Sequence, residues 1–533
     1  MAGWLPADST LLLSGNVSHR QTGVAAGGRC HRTALTHDAT STERVAPMSI
    51  LRKMPVQHVL DRSRQNTLKR NLSAISLAGF GVGVIIGTGI FTLVGVEAKE
   101  HAGPAVVVSF LVAGVVAALA ALCYAELASA VPTAGSAYTY AFATLGELFA
   151  WIIGWDLLLE FALGAAVVSR SWSGYVANLL GLPPEWFGEQ ATVNIGAVII
   201  IAVLTVVAVA GIRESSRLTN LLVIVKVSVC VLIIVAGLFF VRGANLHPFV
   251  PPAQPSDASA SIVDQPLIQA VAGLEQSVYG FGGVLTAAAV VFFAYTGFEA
   301  LANLGEETKN PKRDLPRGLL GSLAVCTVLY VAVALVLTAI VDYRKIDAGA
   351  PIAAAFESAG APWVGALVGL GAVTGLTSVM MVELVTLGRI GFAMSRDGLL
   401  PPKLSEVHPR WRTPHRMTIA IAVLIMLLAG FIPIAELADM VSIGALSGFL
   451  IVALAVPVLR RRNPDLERPF RVPFSPVLPV ITALACLYLM TNLDVFTWLR
   501  FGAWLVLGLV IYFCYGRRHS VLARRTEDAD AGK

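Results

Sequence analysis

The chain alternates between long apolar stretches and short polar segments. Twelve stretches are almost free of charge, and residues 319–341 contain no charged residue at all. Each is about 20 residues long, the length that an α-helix needs to cross a hydrocarbon layer about 30 Å thick. They cover residues 74–97, 105–131, 138–170, 192–212, 218–241, 278–304, 317–341, 362–394, 415–432, 437–458, 476–493 and 498–516. The pattern predicts an all-α integral membrane protein with twelve transmembrane helices.

The composition supports this prediction. Of the 533 residues, 56% are hydrophobic and only 14% are charged, and the mean hydropathy is +0.73. A soluble globular domain carries about 25% charged residues, so a soluble protein is excluded. A membrane β-barrel would alternate apolar and polar residues over segments of about ten, and these continuous apolar runs do not alternate.

The basic residues indicate how the helices are oriented. With the N-terminus in the cytoplasm and the sides alternating, 26 Lys and Arg residues fall inside and five fall outside. Those outside are Lys99, Arg242, Arg344, Lys345 and Arg500. Cytoplasmic loops are enriched in Lys and Arg, so both termini are predicted to be cytoplasmic. The net charge of +5 is explained by orientation, and no nucleic-acid partner is expected.

The spans divide the chain into a core and its flanks. The predicted parts are a mostly disordered cytoplasmic N-terminal tail (1–73), a ten-helix core (74–458), a cytoplasmic loop (459–475), helices 11 and 12 (476–516) and a cytoplasmic C-terminal tail (517–533). Residues 1–47 lack the layout of a signal peptide, and either Met1 or Met48 is the start. Residues 243–277 form the long outer loop.

Helix 1 is predicted to break. It carries Gly79, Gly81, Gly83, Gly87, Gly89 and Gly95 around the string IIGTGIF (85–91). Glycine weakens a helix, and a break exposes N–H groups that can bind a carboxylate. Close helix packing through small residues is the alternative explanation of these glycines.

A similar string recurs five helices later. Helix 6 contains Thr296-Gly297-Phe298, which matches Thr88-Gly89-Ile90 of helix 1, and Glu299 follows directly. Paired interruptions in the two halves of a chain are typical of inverted-repeat transporters, whose binding site lies at the membrane midplane. Helices 1–5 and 6–10 would be the two repeats.

Four motifs now make a specific resemblance. They are GTGIF (87–91), YAELASAVPTAGSAYTYAF (124–142), FFAYTGFEALANLGEETKNPKRDLPRGL (292–319) and AMSRDGLLP (393–401). In this order they resemble the amino acid, polyamine and organocation permeases, and within them the bacterial branch similar to cationic amino acid transporters. The resemblance covers about residues 70–516. It implies the leucine-transporter-type fold, with a 5+5 inverted repeat and broken helices 1 and 6, in a bacterial plasma membrane.

The resemblance also implies the positions of the substrate groups. The α-carboxylate of an amino acid would bind the amides of Thr88, Gly89 and Ile90, and its α-amino group the carbonyls of Phe293, Ala294 and Thr296. Phe298 would resemble the gate over the substrate. Two opposed half-helix ends match a zwitterion, so no charged side chain need be buried there.

Two ionisable residues are candidates for proton coupling. Lys226 lies in the middle of helix 5, where a buried lysine loses its proton easily. The resemblance matches it to the lysine that replaces the second sodium ion in proton-coupled members, and snorkelling to the surface is the alternative. Glu160 of helix 3 matches an intramembrane glutamate of the same branch. It could relay protons or serve as a counter-ion for Arg170 or Lys226.

Glu383 of helix 8 departs from the family pattern. It lies where relatives usually have an uncharged residue facing the substrate side chain, and a carboxylate there would suit the cationic group of arginine, lysine or ornithine. Pairing with Arg389 is the alternative, although a spacing of six residues does not place the two on one helix face. Glu299 stands where many relatives have Asp, and its role stays open.

Together these observations predict a secondary active transporter of L-amino acids that works by alternating access, is coupled to protons and favours cationic substrates. A symporter of small neutral amino acids or an amino acid exchanger is the alternative, and a channel or a membrane-embedded enzyme is a remote one. No GxSxG, HExxH or Walker A motif is present, so no enzyme, cofactor or metal site is predicted. The expected partners are the substrate, protons and the lipid bilayer. The sequence leaves the choice of amino acid and the oligomeric state open.

Overall fold

A computed structural model describes residues 71–130, 138, 142, 146–189, 191–211, 216–255, 261–274, 277–411 and 413–521. Within these ranges the chain is almost entirely helical. The predicted N-terminal tail lies outside them up to residue 70, and so does the C-terminal tail from residue 522.

The main helices follow the predicted spans. They are α1 (Ala74–Ile85), α2 (Val106–Ala130), α3 (Glu147–Leu180), α4 (Ile195–Val209), α5 (Ser216–Gly237), α6 (Gly280–Val290), α7 (Pro311–Ile340), α8 (Pro362–Arg396), α9 (His415–Phe431), α10 (Ile434–Arg462), α11 (Val477–Met490) and α12 (Val495–Ile511). Two of these helices, α1 and α6, are followed by π- or 3₁₀-helical segments. A segment of π-, α- and π-helix (Gly89–Leu93, Val94–Glu97, Ala98–Ala102) follows α1, and 3₁₀ helices (Val291–Tyr295, Phe298–Glu307) follow α6.

Within the described ranges, seven helical segments are long and apolar enough to cross a membrane, and five shorter apolar helices accompany them. Every predicted span overlaps one of the twelve main helices. The lengths alone do not establish that the shorter helices cross, so the count of twelve stays a prediction.

Several predicted helix boundaries were wrong, among them those of α3 and α10. The third span was placed at 138–170, but α3 begins at Glu147 and continues to Leu180. Helix α10 runs past the predicted end at residue 458 as far as Arg462. Charged residues do not end a helix, because their long side chains can reach water from its last turn. The predicted span was limited to residues of low charge, and it therefore ended before α10 does.

The contacts between helices repeat after a shift of five. Five contacts each have a counterpart in which both helices are shifted by five places. The contact of α1 with α7 corresponds to that of α6 with α2, α3 with α10 to α8 with α5, and α1 with α5 to α6 with α10. Likewise, α5 with α7 corresponds to α10 with α2, and α3 with α9 to α8 with α4. Helices 1–5 and 6–10 therefore occupy equivalent places in the bundle.

The helices differ in how deeply they are enclosed. In α3 and in the segment from Gly280 to Leu301, 89% of an apolar stretch of 18 residues is buried inside the protein. In the segment that contains α12, the corresponding fraction is 22%. The buried core thus surrounds α3 and α6, while α12 lies at the edge.

The long loop after α5 contains short regular elements. It contains two short antiparallel strands, β1 (Gln254–Pro255) and β2 (Ser277–Val278), and a short helix, Leu267–Ala272. The N–H of Leu267 donates to the carbonyl of Leu493, so this loop is tied to the turn between α11 and α12.

Candidate functional site

Two helices of the core are interrupted where the sequence predicted breaks. Helix α1 ends at Ile85, Ile86 is extended (φ −70°, ψ 103°), and the helical path resumes at Gly89. After α6, Thr296 is extended (φ −64°, ψ 159°) and Gly297 has a φ of +99°. Only glycine adopts such a positive φ readily, which explains the glycine at this break.

The two interruptions touch each other. A Cβ atom placed on Gly89 would lie 2.2 Å from the Cβ of Ala294, so no larger residue fits at this crossing. The buried hydroxyl of Tyr330 on α7 lies 2.8 Å from the carbonyl oxygen of Ile85 and 3.0 Å from that of Ala294. One side chain therefore contacts both broken helices.

The residues predicted to bind the substrate carboxylate form the start of the segment after α1. The first N–H groups of a helical segment have no acceptor within it, and here they belong to Thr88, Gly89 and Ile90. The Oγ1 atom of Thr88 is buried and has no hydrogen-bond partner. Thr88 and Gly89 line a cavity at the crossing, whereas the side chain of Ile90 is fully buried and is not part of its wall.

Two of the three carbonyls predicted to accept the α-amino group, those of Phe293 and Ala294, already have donors. The oxygen of Phe293 accepts hydrogen bonds from the Thr296 N–H at 3.1 Å and the Thr296 hydroxyl at 2.9 Å. The oxygen of Ala294 accepts from Tyr330. A carbonyl has two lone pairs, so an amino group could bind Phe293 only after these contacts rearrange.

Two small cavities adjoin the crossing. Each has room for about one water molecule, so this conformation is closed to a whole amino acid. Both are lined by Val84, Phe293, Thr296 and Glu383, and the first also by Glu160. The apolar wall was not predicted from the sequence. Its residues are Val84, Ile85, Phe161, Val168, Ala300, Val379, Val382 and Val441. Val379 could have been found, because it lies one helical turn from Glu383.

Glu383 faces the cavities and forms no ion pair with Arg389. Its Oε2 atom is buried without a hydrogen-bond partner, whereas Arg389 is exposed. The other oxygen, Oε1, lies over α3, where a Cβ on Gly164 would come within 2.9 Å of it. The pairing alternative is therefore wrong, and the carboxylate is held by packing.

Glu160 is buried, with 4% of its surface exposed, and its Oε1 atom has no hydrogen-bond partner. It forms no ion pair with any described residue. Arg170 contacts Glu189 instead at 3.1 Å and donates to the carbonyls of Ala429 and Glu189. The hypothesis of a counter-ion for Arg170 is thus wrong. No three His, Cys, Asp or Glu side chains come together as metal ligands in the described ranges.

Lys226 is buried on α5, with 1% of its surface exposed, so it does not snorkel to the membrane surface. Its Nζ atom donates to the carbonyl oxygen of Gly83 at 2.6 Å. In an unbroken helix the N–H of Gly87 would occupy that oxygen. Because α1 ends at Ile85, the ammonium group of Lys226 binds the negative end of a helix dipole.

The structure assigns a role to Glu299. Both of its carboxylate oxygens accept the N–H of Gly297 at 2.9 Å, so this buried side chain stabilises the break after α6. The spacing of two residues is that of a local turn, but the sequence alone did not show that the carboxylate folds back.

Phe298 lies in an aromatic cluster and is absent from the walls of both cavities. Its ring centroid is 5.7 Å from that of Tyr124 and 5.0 Å from that of Phe449. Phe293 is the aromatic residue that lines both cavities. The gating role of Phe298 stays a prediction.

The sequence is similar to those of known proteins over most of its length. The sequence profile described as "Amino acid permease" matches residues 72–512. The chain is 43% identical over 489 residues to the branched-chain amino acid permease BcaP of Bacillus subtilis and 40% identical over 486 residues to the methylthioribose transporter of the same organism. Both alignments cover 89% of this chain and 99% of the relative. The cationic amino acid transporter 4, vacuolar, of Arabidopsis thaliana is 37% identical over 428 residues, which are 78% of this chain and 68% of that protein. The chain belongs to the amino acid permease family and is a multi-pass membrane transporter rather than an enzyme.

Proposed function

We propose that this protein is a secondary active transporter that moves L-amino acids across the bacterial plasma membrane by alternating access. The observation that carries the proposal is the crossing of two interrupted helices at Gly89 and Ala294, beside two cavities that are too small for a whole amino acid. A site at such a crossing can be exposed to one side of the membrane and then to the other.

The proposed architecture is the leucine-transporter-type fold, with twelve transmembrane helices and two inverted five-helix repeats. It is supported by the helix contacts that repeat after a shift of five. The basic excess on one side of the spans supports cytoplasmic termini. Single cysteines at Lys345 and Arg518, in a protein without other cysteines, test this: a membrane-impermeant maleimide added outside cells should label the first and not the second.

In the proposed site, the substrate carboxylate binds the N–H groups of Thr88, Gly89 and Ile90, and the amino group binds the carbonyls of the Phe293–Thr296 break. The observed state supports a two-state mechanism, because Thr296 occupies the carbonyl of Phe293 and Tyr330 that of Ala294. Opening would exchange these internal donors for the substrate amino group. A buried donor or acceptor left unpaired costs about 1–3 kcal/mol, so this exchange couples binding to the conformational change.

The proposed substrate preference is for cationic amino acids, through Glu383. Its unpartnered oxygen in the cavity is the observation that favours this, and a relative named as a cationic amino acid transporter is consistent with it. In proteoliposomes, lysine and arginine should compete with a labelled substrate better than leucine does. Glu383→Ser should remove that advantage. Equal competition in the native protein and the variant would make Glu383 structural.

Transport of neutral amino acids is the second candidate. The cavity walls contain five valines, Val84, Val168, Val379, Val382 and Val441, a surface that suits an aliphatic side chain. The relative named as a branched-chain amino acid permease favours the same reading. The same competition panel decides between the candidates.

The proposed driving force is a proton gradient, with Lys226 and Glu160 as the proton-binding groups. The contact of Lys226 with Gly83 supports a coupling role, since loss of the ammonium proton would weaken the bond that stabilises the end of α1. Uptake should rise with an inward proton gradient, and Lys226→Met should lower gradient-driven uptake by about tenfold, or about 1.4 kcal/mol. Uptake that is unchanged when the gradient is collapsed would remove the coupling proposal.

A further inference from the structure

Glu160 and Glu383 face the same enclosed space from two helices. Both line the first cavity, Glu160 from α3 and Glu383 from α8. Each has one buried carboxylate oxygen without a hydrogen-bond partner. Glu383 also rests on Gly164, which is one helical turn beyond Glu160 on α3. The carboxylate of Glu383 therefore packs against α3 one turn beyond the position of Glu160, on the same face of that helix.

Three other charged groups lie near the pair. Glu299 accepts the N–H of Gly297, and Lys226 donates to the Gly83 carbonyl, although its charge also acts on Glu383. Asp156, one turn before Glu160 on α3, accepts a hydrogen bond at Oδ2 from the Ser447 hydroxyl of α10 at 2.9 Å. Its Oδ1 is buried without a hydrogen-bond partner, but Asp156 does not line either cavity. Among the described ion pairs, none supplies a cation to Glu160 or Glu383.

Such a pair does not hold two negative charges without a compensating positive charge. Two carboxylates that have lost their water repel each other, and in an apolar site they commonly share one proton. An ammonium or guanidinium group can take the place of that proton, because it offers several N–H donors to both carboxylates. The cavity is thus suited to one positive charge of either kind.

We infer that the coupling proton and the cationic side chain of the substrate compete for the carboxylate pair formed by Glu160 and Glu383. The inference rests on the proposed function, and it joins the two roles that the proposal gives to these residues. A neutral amino acid enters as a zwitterion together with a proton bound to the pair, and that proton is released in the cytoplasm. A lysine or arginine side chain displaces the proton to the side from which the substrate came. One positive charge crosses in either case.

The test measures proton and substrate fluxes together. The full-length protein is reconstituted in liposomes that contain a pH-sensitive dye, and uptake of labelled leucine, alanine, lysine or arginine is recorded beside the internal pH and the transmembrane current. About one proton should accompany each neutral amino acid, because the carboxylate pair shares one proton. No proton should accompany lysine or arginine, and the charge moved per substrate should be the same for both classes.

Variants identify the carboxylates. Glu160→Gln and Glu383→Gln should each reduce the number of protons per leucine and lower the apparent affinity for lysine relative to leucine by about tenfold. Asp156→Asn, which alters a buried carboxylate on the same helix outside the cavities, should leave both quantities unchanged. Thermal unfolding of the purified variants shows which of them are folded, and the fluxes of the native protein test the inference even if a variant is not.

The possible failures are distinguishable. Internal acidification by lysine equal to that by leucine would overturn the competition while leaving proton-coupled transport intact. Transport of only one substrate class would also overturn it. The absence of proton movement with every substrate would instead refute the coupling given under the proposed function.

Discussion

At the scale of single residues, the site depends on how closely two backbones approach each other. Gly89 meets Ala294 at a distance that leaves no room for a methyl group, because a Cβ placed on Gly89 would lie 2.5 Å from the backbone Cα of Ala294. A flexible side chain could move away, but a helix backbone at the centre of the bundle cannot do so without displacing its neighbours.

Gly89→Ala is therefore expected to abolish most transport. Overpacking of this kind costs about 1–3 kcal/mol, and here the displaced groups belong to the proposed substrate site. Initial uptake rates in proteoliposomes should fall by about tenfold or more. Gly502→Ala is the control, because nothing lies within 4 Å of a Cβ on Gly502. Normal uptake by Gly89→Ala would mean that the close approach is not required.

Tyr330 is the second residue whose removal tests the crossing. Tyr330→Phe leaves the carbonyls of Ile85 and Ala294 without the hydroxyl that contacts both. Buried groups left unpaired cost about 1–3 kcal/mol, so the melting temperature and the uptake rate should both fall.

Tyr295→Phe is the matched control for this change. The Tyr295 hydroxyl donates to the carbonyl of Phe110, which lies within α2 and keeps a hydrogen bond of that helix. If the two variants lose the same amount of stability and activity, the hydroxyl of Tyr330 has no special role at the broken helices.

At the scale of elements, the least buried helix is attached by tryptophans. Trp155 of α3 stacks on Trp504 of α12 with 4.3 Å between ring centroids, and its Nε1 donates to the Trp504 carbonyl at 2.9 Å. Trp151 donates to the carbonyl of Gly508 at the same distance. Gly508 is required here, because a Cβ on it would lie 2.4 Å from the Trp155 ring.

Trp155→Ala should detach α12 without changing the substrate site. The cavity and the lost hydrogen bond cost about 3–5 kcal/mol, so the melting temperature in detergent should drop clearly, while the KM of the folded fraction stays the same. Trp186→Ala, at a side chain that is 56% exposed, should be nearly neutral. A raised KM in Trp155→Ala would show that α12 acts on the site.

At the scale of the whole molecule, one buried carboxylate joins three parts of the chain. Glu126 of α2 is fully buried and accepts hydrogen bonds from Arg460 Nε and Nη2 of α10, at 2.8 and 2.6 Å. It also accepts the N–H of Val472, in the loop between α10 and α11, at 2.7 Å. This cluster connects a helix among the first five to a helix among the second five.

Glu126→Gln should destabilise the whole bundle, because it leaves Arg460 without its charged partner. Breaking a buried ion pair costs about 3–5 kcal/mol, and the melting temperature reports the loss. Glu467→Gln is the comparison: its pair with Lys312 is exposed, and exposed pairs contribute little. Equal melting temperatures for Glu126→Gln and the native protein would show that the cluster is dispensable.

Much of this protein follows from local patterns in its sequence. Helix positions follow from the apolar stretches, because each stretch must be covered by hydrocarbon or by other helices wherever it lies. The two interruptions follow from the glycines around Thr88 and Thr296, because conformational preferences act over a few residues. The family is recognisable from four motifs. None of these conclusions needs the distance between residues that are far apart in the chain.

Only the tertiary structure decided which groups meet. Tyr330 contacts Ile85 from 245 positions away, and Arg170 contacts Glu189 rather than Glu160. Glu383 packs against Gly164, and its carboxylate shares a cavity with Glu160. Both arrangements arise from the packing of α3 against α8. Side-chain partners across helices depend on the rotation and spacing of whole helices, which periodicity does not encode. The sequence determined the apolar helices and their breaks, and the packing of those helices decided the chemistry between them.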